Sequence, residues 1–102
     1  MKNLSKEEWK KAIAEDQNAV ILDVRTPGEC EEGMQPNAIQ LNFLDGGTFM
    51  AGIEKLDPAK NYYIYCRSGG RSSAACGAME GKGFSTTYNL LGGMMSWDGE
   101  IV

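Results

Sequence analysis

The sequence predicts an α/β domain built around a parallel sheet. Two observations carry this. The run Ala19-Val20-Ile21-Leu22-Asp23-Val24 is almost continuously apolar, the habit of a strand buried on both faces. Strand-like and helix-like segments then alternate over short connections. The 102 residues correspond to one domain, 1–102, with enough chain for one core.

The elements follow in order. Ser5 and Glu8 form an S-x-x-E capping box, with Leu4 and Trp9 placed as a hydrophobic staple. Trp9, Ala12 and Ile13 recur at helical spacing and should face the core. The strand over 19–24 comes next. Thr26, Pro27 and Glu29 then read as N-cap, N1 and N3 of a short helix through Cys30 to Glu32 that stops at Gly33. Ala38 to Asn42 alternates as a short strand, and Thr48 to Leu56 carries a helix closed by Asp57-Pro58. Asn61 to Tyr65 is rich in strand-favouring residues. A helix is expected over Ser73–Lys82 with Ala75, Cys76 and Met79 on its apolar stripe, then a strand over Ser85–Leu90. Gly92-Gly93 leads into a last short helix, Met94 to Trp97.

Composition narrows the chemistry. There is no histidine, so Ser-His-Asp and Cys-His catalysis are excluded, as are zinc sites that need histidine. Three scattered cysteines cannot make a four-thiolate site, and no metal is expected. Their odd number argues for reduced thiols. The net charge of -4 argues against nucleic acid as a partner. No apolar run is long enough to span a membrane, and the N-terminus lacks the apolar stretch of a signal peptide. The expected location is the cytosol.

The chemistry concentrates in Cys66-Arg67-Ser68-Gly69-Gly70-Arg71-Ser72, between a strand and a helix. Ligands of open α/β sheets bind at the carboxyl ends of strands, and a loop there can turn backbone N–H groups inward as an anion nest. Gly69 and Gly70 permit the positive φ angles such a nest requires, and Ser72 is placed to cap the helix. The helix N-terminus, Arg67 and Arg71 favour thiolate over thiol at Cys66, an activation without histidine. The expectation is an exposed, low-pKa thiolate whose substrate is a small anion. The loop is C-x4-R, one residue shorter than the C-x5-R of tyrosine phosphatases, and suits a smaller group such as a single sulfur.

The chain resembles a single-domain rhodanese, a sulfurtransferase homology domain. Four segments carry the likeness over roughly residues 4–100: 22–29 (L-D-V-R-T-P-G-E), 36–41 (P-N-A-I-Q-L), 66–72, and Gly83-Phe84 through Asn89-Leu90-Leu91-Gly92-Gly93 to Trp97. The resemblance implies a central five-stranded parallel sheet flanked by helices. It makes Cys66 a persulfide-forming nucleophile and the backbone N–H groups of Arg67, Ser68, Gly69, Gly70 and Arg71 its cradle. Arg67 and Arg71 would attract the anionic donor. Asp23 and Arg25 match the family's D-V-R and are read as supporting, Arg25 pairing with Glu29 or buttressing the loop. Cys30 stands where an aromatic residue is usual and Met34 where histidine is frequent. Cys30 and Cys76 are expected to pack rather than resolve a persulfide. The implied activity moves a sulfane sulfur from thiosulfate or a similar donor to a thiol or cyanide, with no cofactor. The alternatives are a non-catalytic binding module or persulfide carrier and, disfavoured by the short loop, a phosphatase or arsenate reductase.

Overall fold

The computed structural model describes residues 1–102. Five strands, β1 (Lys2–Leu4), β2 (Ala19–Asp23), β3 (Ile39–Gln40), β4 (Asn61–Tyr65) and β5 (Thr86–Leu90), form one sheet in the order β1-β5-β4-β2-β3. Every neighbouring pair is parallel. The helices are α1 (Lys6–Glu15), α2 (Pro27–Cys30), α3 (Gly46–Ile53) and α4 (Gly70–Glu80), and a 3-10 turn spans Gly93–Ser96. No helix is long and apolar enough to cross a membrane.

Strand periodicity divides the core into two. Along β4, Tyr62 and Ile64, followed by Cys66, face one side and pack with Phe49 and Ile53 of α3 and with Ala75, Cys76 and Met79 of α4. Tyr63 and Tyr65 face the other side and pack with Leu4, Trp9 and Leu90. The Trp9 ring meets both tyrosines edge-on, at 5.5 and 6.2 Å between centroids. The sheet is thus a middle layer between α3 with α4 and α1.

The capping boxes of α1 and α2 form as the sequence predicts. Ser5 Oγ accepts from the Glu8 N–H and Glu8 Oε1 from the Ser5 N–H, and Thr26 and Glu29 do the same. Ala12 and Ile13 are partly buried against the Trp9 cluster. Several boundaries differ. β1 is absent from the sequence reading: it is three residues long, and only Leu4 of it is buried. The expected 38–42 strand is regular only over Ile39–Gln40, although the Leu41 N–H still donates to the Asp23 carbonyl at 2.9 Å. The helix expected from Thr48 begins at Gly46, because Asp45 caps it by accepting from the Thr48 N–H. The helix expected from Ser73 begins at Gly70, one turn nearer Cys66.

Candidate active site

Cys66 follows directly on β4, at the sheet's carboxyl edge, where β2 and β5 flank it. The chain rises into the loop, turns at Gly69 and enters α4. Gly69 has φ of +111°, a conformation that L side chains rarely adopt. Gly70 does not share it. It is already helical, so only one of the two glycines expected to turn left-handed does so.

The turn folds donors over the sulfur. The Gly69 N–H donates to Cys66 Sγ at 3.1 Å, and Ser72 Oγ lies 3.3 Å from it. Ser72 does not cap α4. The N-cap is Gly69, without a side-chain cap, and Ser72 sits in the first turn with its hydroxyl aimed back at the sulfur. Burial pushes the Cys66 thiol up, but the Ser72 hydroxyl and the N–H groups of Ser72, Gly69 and Ser68 outweigh it. The thiol is left below its ordinary range. The direction agrees with the expected low-pKa thiol. Its expected exposure is not: Cys66 is 1% exposed, beneath its own loop. Ser72 and the N–H groups at the start of α4 draw it down most, and the charge of Arg71 couples to it as well.

The two loop arginines have different fates. Arg71 makes a bidentate pair with Glu29, Nη1 to Oε1 at 2.7 Å and Nη2 to Oε2 at 2.8 Å. Glu29 is held down to about 2, first by Arg71 and then, against burial, by Thr26. Arg67 is exposed and joins none of the chain's ion pairs. It lines a cleft of about 210 Å³ with Arg25, Glu29, Glu32, Met94 and Met95. Ser68, beside it, is exposed.

Arg25 does not pair with Glu29 as expected. Its Nη2 bonds Asp23 Oδ2 and the Gly33 carbonyl, both at 2.7 Å, and its Nε bonds Asp23 Oδ1 at 2.9 Å. Asp23 is fully buried and Arg25 5% exposed. The pair fastens the segment after β2 to the turn at Gly33, a supporting role. Met34 follows that turn and exchanges backbone hydrogen bonds with Val102.

A strut holds the loop from below. The Met94 N–H donates to the Cys66 carbonyl and the Met95 N–H to that of Arg67, each at 3.0 Å. The approach is close: a Cβ on Gly93 would lie 2.5 Å from the Cys66 oxygen. Asn89 was also missed in the sequence. It is 3% exposed, and its side-chain carbonyl accepts from Ser72. A lone amide within the strand Thr-Thr-Tyr-Asn-Leu is the signal that could have found it.

Of the other two thiols, Cys76 packs in the core, whereas Cys30 lies outside both core clusters. Cys76 is buried and pushed up to about 11 by burial. Cys30 is half-buried and pushed up to about 11 by burial and then Asp23. No cluster of His, Cys, Asp or Glu could hold a metal ion.

A five-stranded parallel sheet flanked by helices, with a buried, hydrogen-bonded thiol in the loop between β4 and α4, defines a class of α/β domain. Within that class the chain belongs to the rhodanese-like domain family, whose model matches residues 5–100. The Bacillus subtilis protein YtwF is 38% identical over 100 residues, 98% of this chain and 93% of that one. A sulfurtransferase of Allochromatium vinosum is 34% identical over 94 residues, 92% of this chain and 85% of the relative. The crystal structure of a rhodanese-like domain protein from Staphylococcus aureus superposes with a TM-score of 0.86 at 30% identity, covering 100% of this chain and 97% of that one.

Proposed function

We propose that the protein is a sulfurtransferase that carries sulfane sulfur on Cys66. The observation that carries this reading is the sulfur's setting, with the Gly69 N–H and the Ser72 hydroxyl against Sγ. The Allochromatium vinosum relative, named a sulfurtransferase, supports it. The Cys66 thiolate attacks the outer sulfur of thiosulfate, a new S–S bond forms, and the old one breaks with its electron pair leaving on sulfite. A thiol or cyanide then takes the outer sulfur, and the bonding pair returns to Cys66 as thiolate. No step needs a metal or an organic cofactor. Arg67, the unpaired cation at the cleft, draws in the anionic donor. The reading assigns the activity to one domain, 1–102, and a reducing compartment such as the cytosol suits its three free thiols.

Intact mass tests this. Thiosulfate should add one sulfur, a thiol should remove it, and peptide mapping should place it on Cys66. Loading should rise with pH through the depressed titration of Cys66 and be lost below it, because only the thiolate attacks. Sulfur on Cys30 or Cys76 would overturn the site. Loading without turnover would point to a persulfide carrier, and no loading at all to a binding module.

A further inference from the structure

The Ser72 hydroxyl has one proton and three acceptors in reach. These are Cys66 Sγ at 3.3 Å, the Gly69 carbonyl at 3.2 Å and, closest, the side-chain carbonyl of Asn89. The Asn89 amide is oriented by its other end, where Nδ2 donates to Asn3 Oδ1 at 3.0 Å. Its carbonyl is thereby turned toward Ser72. Ser72 is fully buried and Asn89 3% exposed, so solvent replaces no bond lost between them.

We propose that Asn89 is a positioning residue: its carbonyl competes with the Cys66 sulfur for the single hydroxyl proton of Ser72. While Sγ is an uncharged thiol, the S–H donates to Ser72 and the Ser72 O–H donates to Asn89, and each group is satisfied. When the thiol proton leaves to solvent, the Ser72 O–H rotates to the thiolate, and the Asn89 carbonyl gives up its donor. In the persulfide the charge moves to the outer sulfur, Sγ is again uncharged, and the hydroxyl returns to Asn89. Ser72 keeps its own proton throughout and only turns. This last part rests on the sulfurtransferase reading, whereas the competition between thiol and thiolate does not.

The test follows the ultraviolet absorbance of the thiolate against pH, with Cys66→Ser as the blank. Cys30 and Cys76, pushed up to about 11, stay protonated where Cys66 titrates. Asn89→Leu should raise the thiolate-to-thiol ratio of Cys66 near neutral pH about tenfold, and Ser72→Ala should lower it. In a Ser72→Ala background, Asn89→Leu should change nothing further. A folded Asn89→Leu protein with the parent titration overturns the proposal, as does an equal displacement without Ser72. Should Asn89→Leu fail to fold, Asn3→Ala decides, since Asn3 is exposed and its side chain accepts from Asn89 Nδ2. It frees the amide to turn Nδ2 toward Ser72, so the ratio should rise, and an unchanged titration overturns the proposal. No sulfur donor or acceptor is present, so failure of sulfur transfer leaves this result standing.

Discussion

Of the two arginines in the Cys66 loop, only Arg67 has no ion-pair partner, because Arg71 binds both carboxylate oxygens of Glu29 through Nη1 and Nη2. The two should fail differently when removed. Arg67→Ala should raise the thiosulfate concentration needed for half-maximal loading several-fold and flatten its dependence on ionic strength, since the lost contribution is long-range charge. Arg71→Ala should instead lower stability by about 1–2 kcal/mol, read from a urea midpoint, by leaving the half-buried Glu29 without its partner. A salt dependence that survives Arg67→Ala and vanishes in Arg71→Ala would reverse these roles. The sequence placed both arginines in the loop but could not tell them apart. What separates them is a carboxylate 42 residues away, and pairing at that range depends on the fold. Ser72 was misread for a similar reason. A serine just before a helix is a good cap, but the helix begins earlier, so the same hydroxyl points at the sulfur.

The loop behaves as an element clamped between α4 above and the 3-10 turn below, and its glycines show where the clamp is tight. A Cβ at Gly93 would lie 2.5 Å from the Cys66 carbonyl oxygen and 2.6 Å from the Arg67 carbonyl carbon, with φ at +53°. Gly93→Ala should therefore cost about 3 kcal/mol of stability, from backbone strain and forced separation together, and should depress sulfur loading as the Cys66 carbonyl is pushed away. Gly70→Ala is the control. It meets nothing within 4 Å in a helical conformation, so it should leave the urea midpoint unchanged or raised, by up to about 1 kcal/mol. Equal destabilisation by the two would mean that the turn is not a strut. Elements with local signals were legible: the Ser5 and Thr26 boxes, the apolar β2 and the aromatic β4 all lie where the residues put them. β1 was not legible, because Lys2-Asn3-Leu4 is a strand only through its pairing with Tyr88, Asn89 and Leu90 at the far end of the chain.

At the scale of the whole molecule, each end of the sheet is tied by a carboxylate whose hydrogen bonds favour its ionised form. Glu29 completes the capping box of α2 by accepting from the Thr26 N–H and, through Arg71, binds that helix to the Cys66 loop. At the opposite edge Asp16, resisting burial, is drawn below its usual range by Asn61, Asn18 and Tyr63. Glu29 sits at about 2 in the fold against an ordinary value of 4.5. A carboxylate depressed on folding stabilises the fold fully above its unfolded value and loses that contribution as pH falls through its folded one. The window for Glu29 thus runs from about 4.5 down to about 2. The Glu29 side chain is 24% exposed, so solvent screening reduces its contribution to about 1–2 kcal/mol. The urea midpoint should hold steady near neutrality and drop as the solution is acidified through that window. Glu29→Gln keeps the shape of the side chain but cannot form the ion pair, so it should be less stable than the parent at pH 7. It should also lose less on acidification, and the two proteins should converge toward the bottom of the window. Parallel acid curves, with a constant gap between parent and Glu29→Gln, would show that the Arg71 pair does not carry the charge coupling between α2 and the loop.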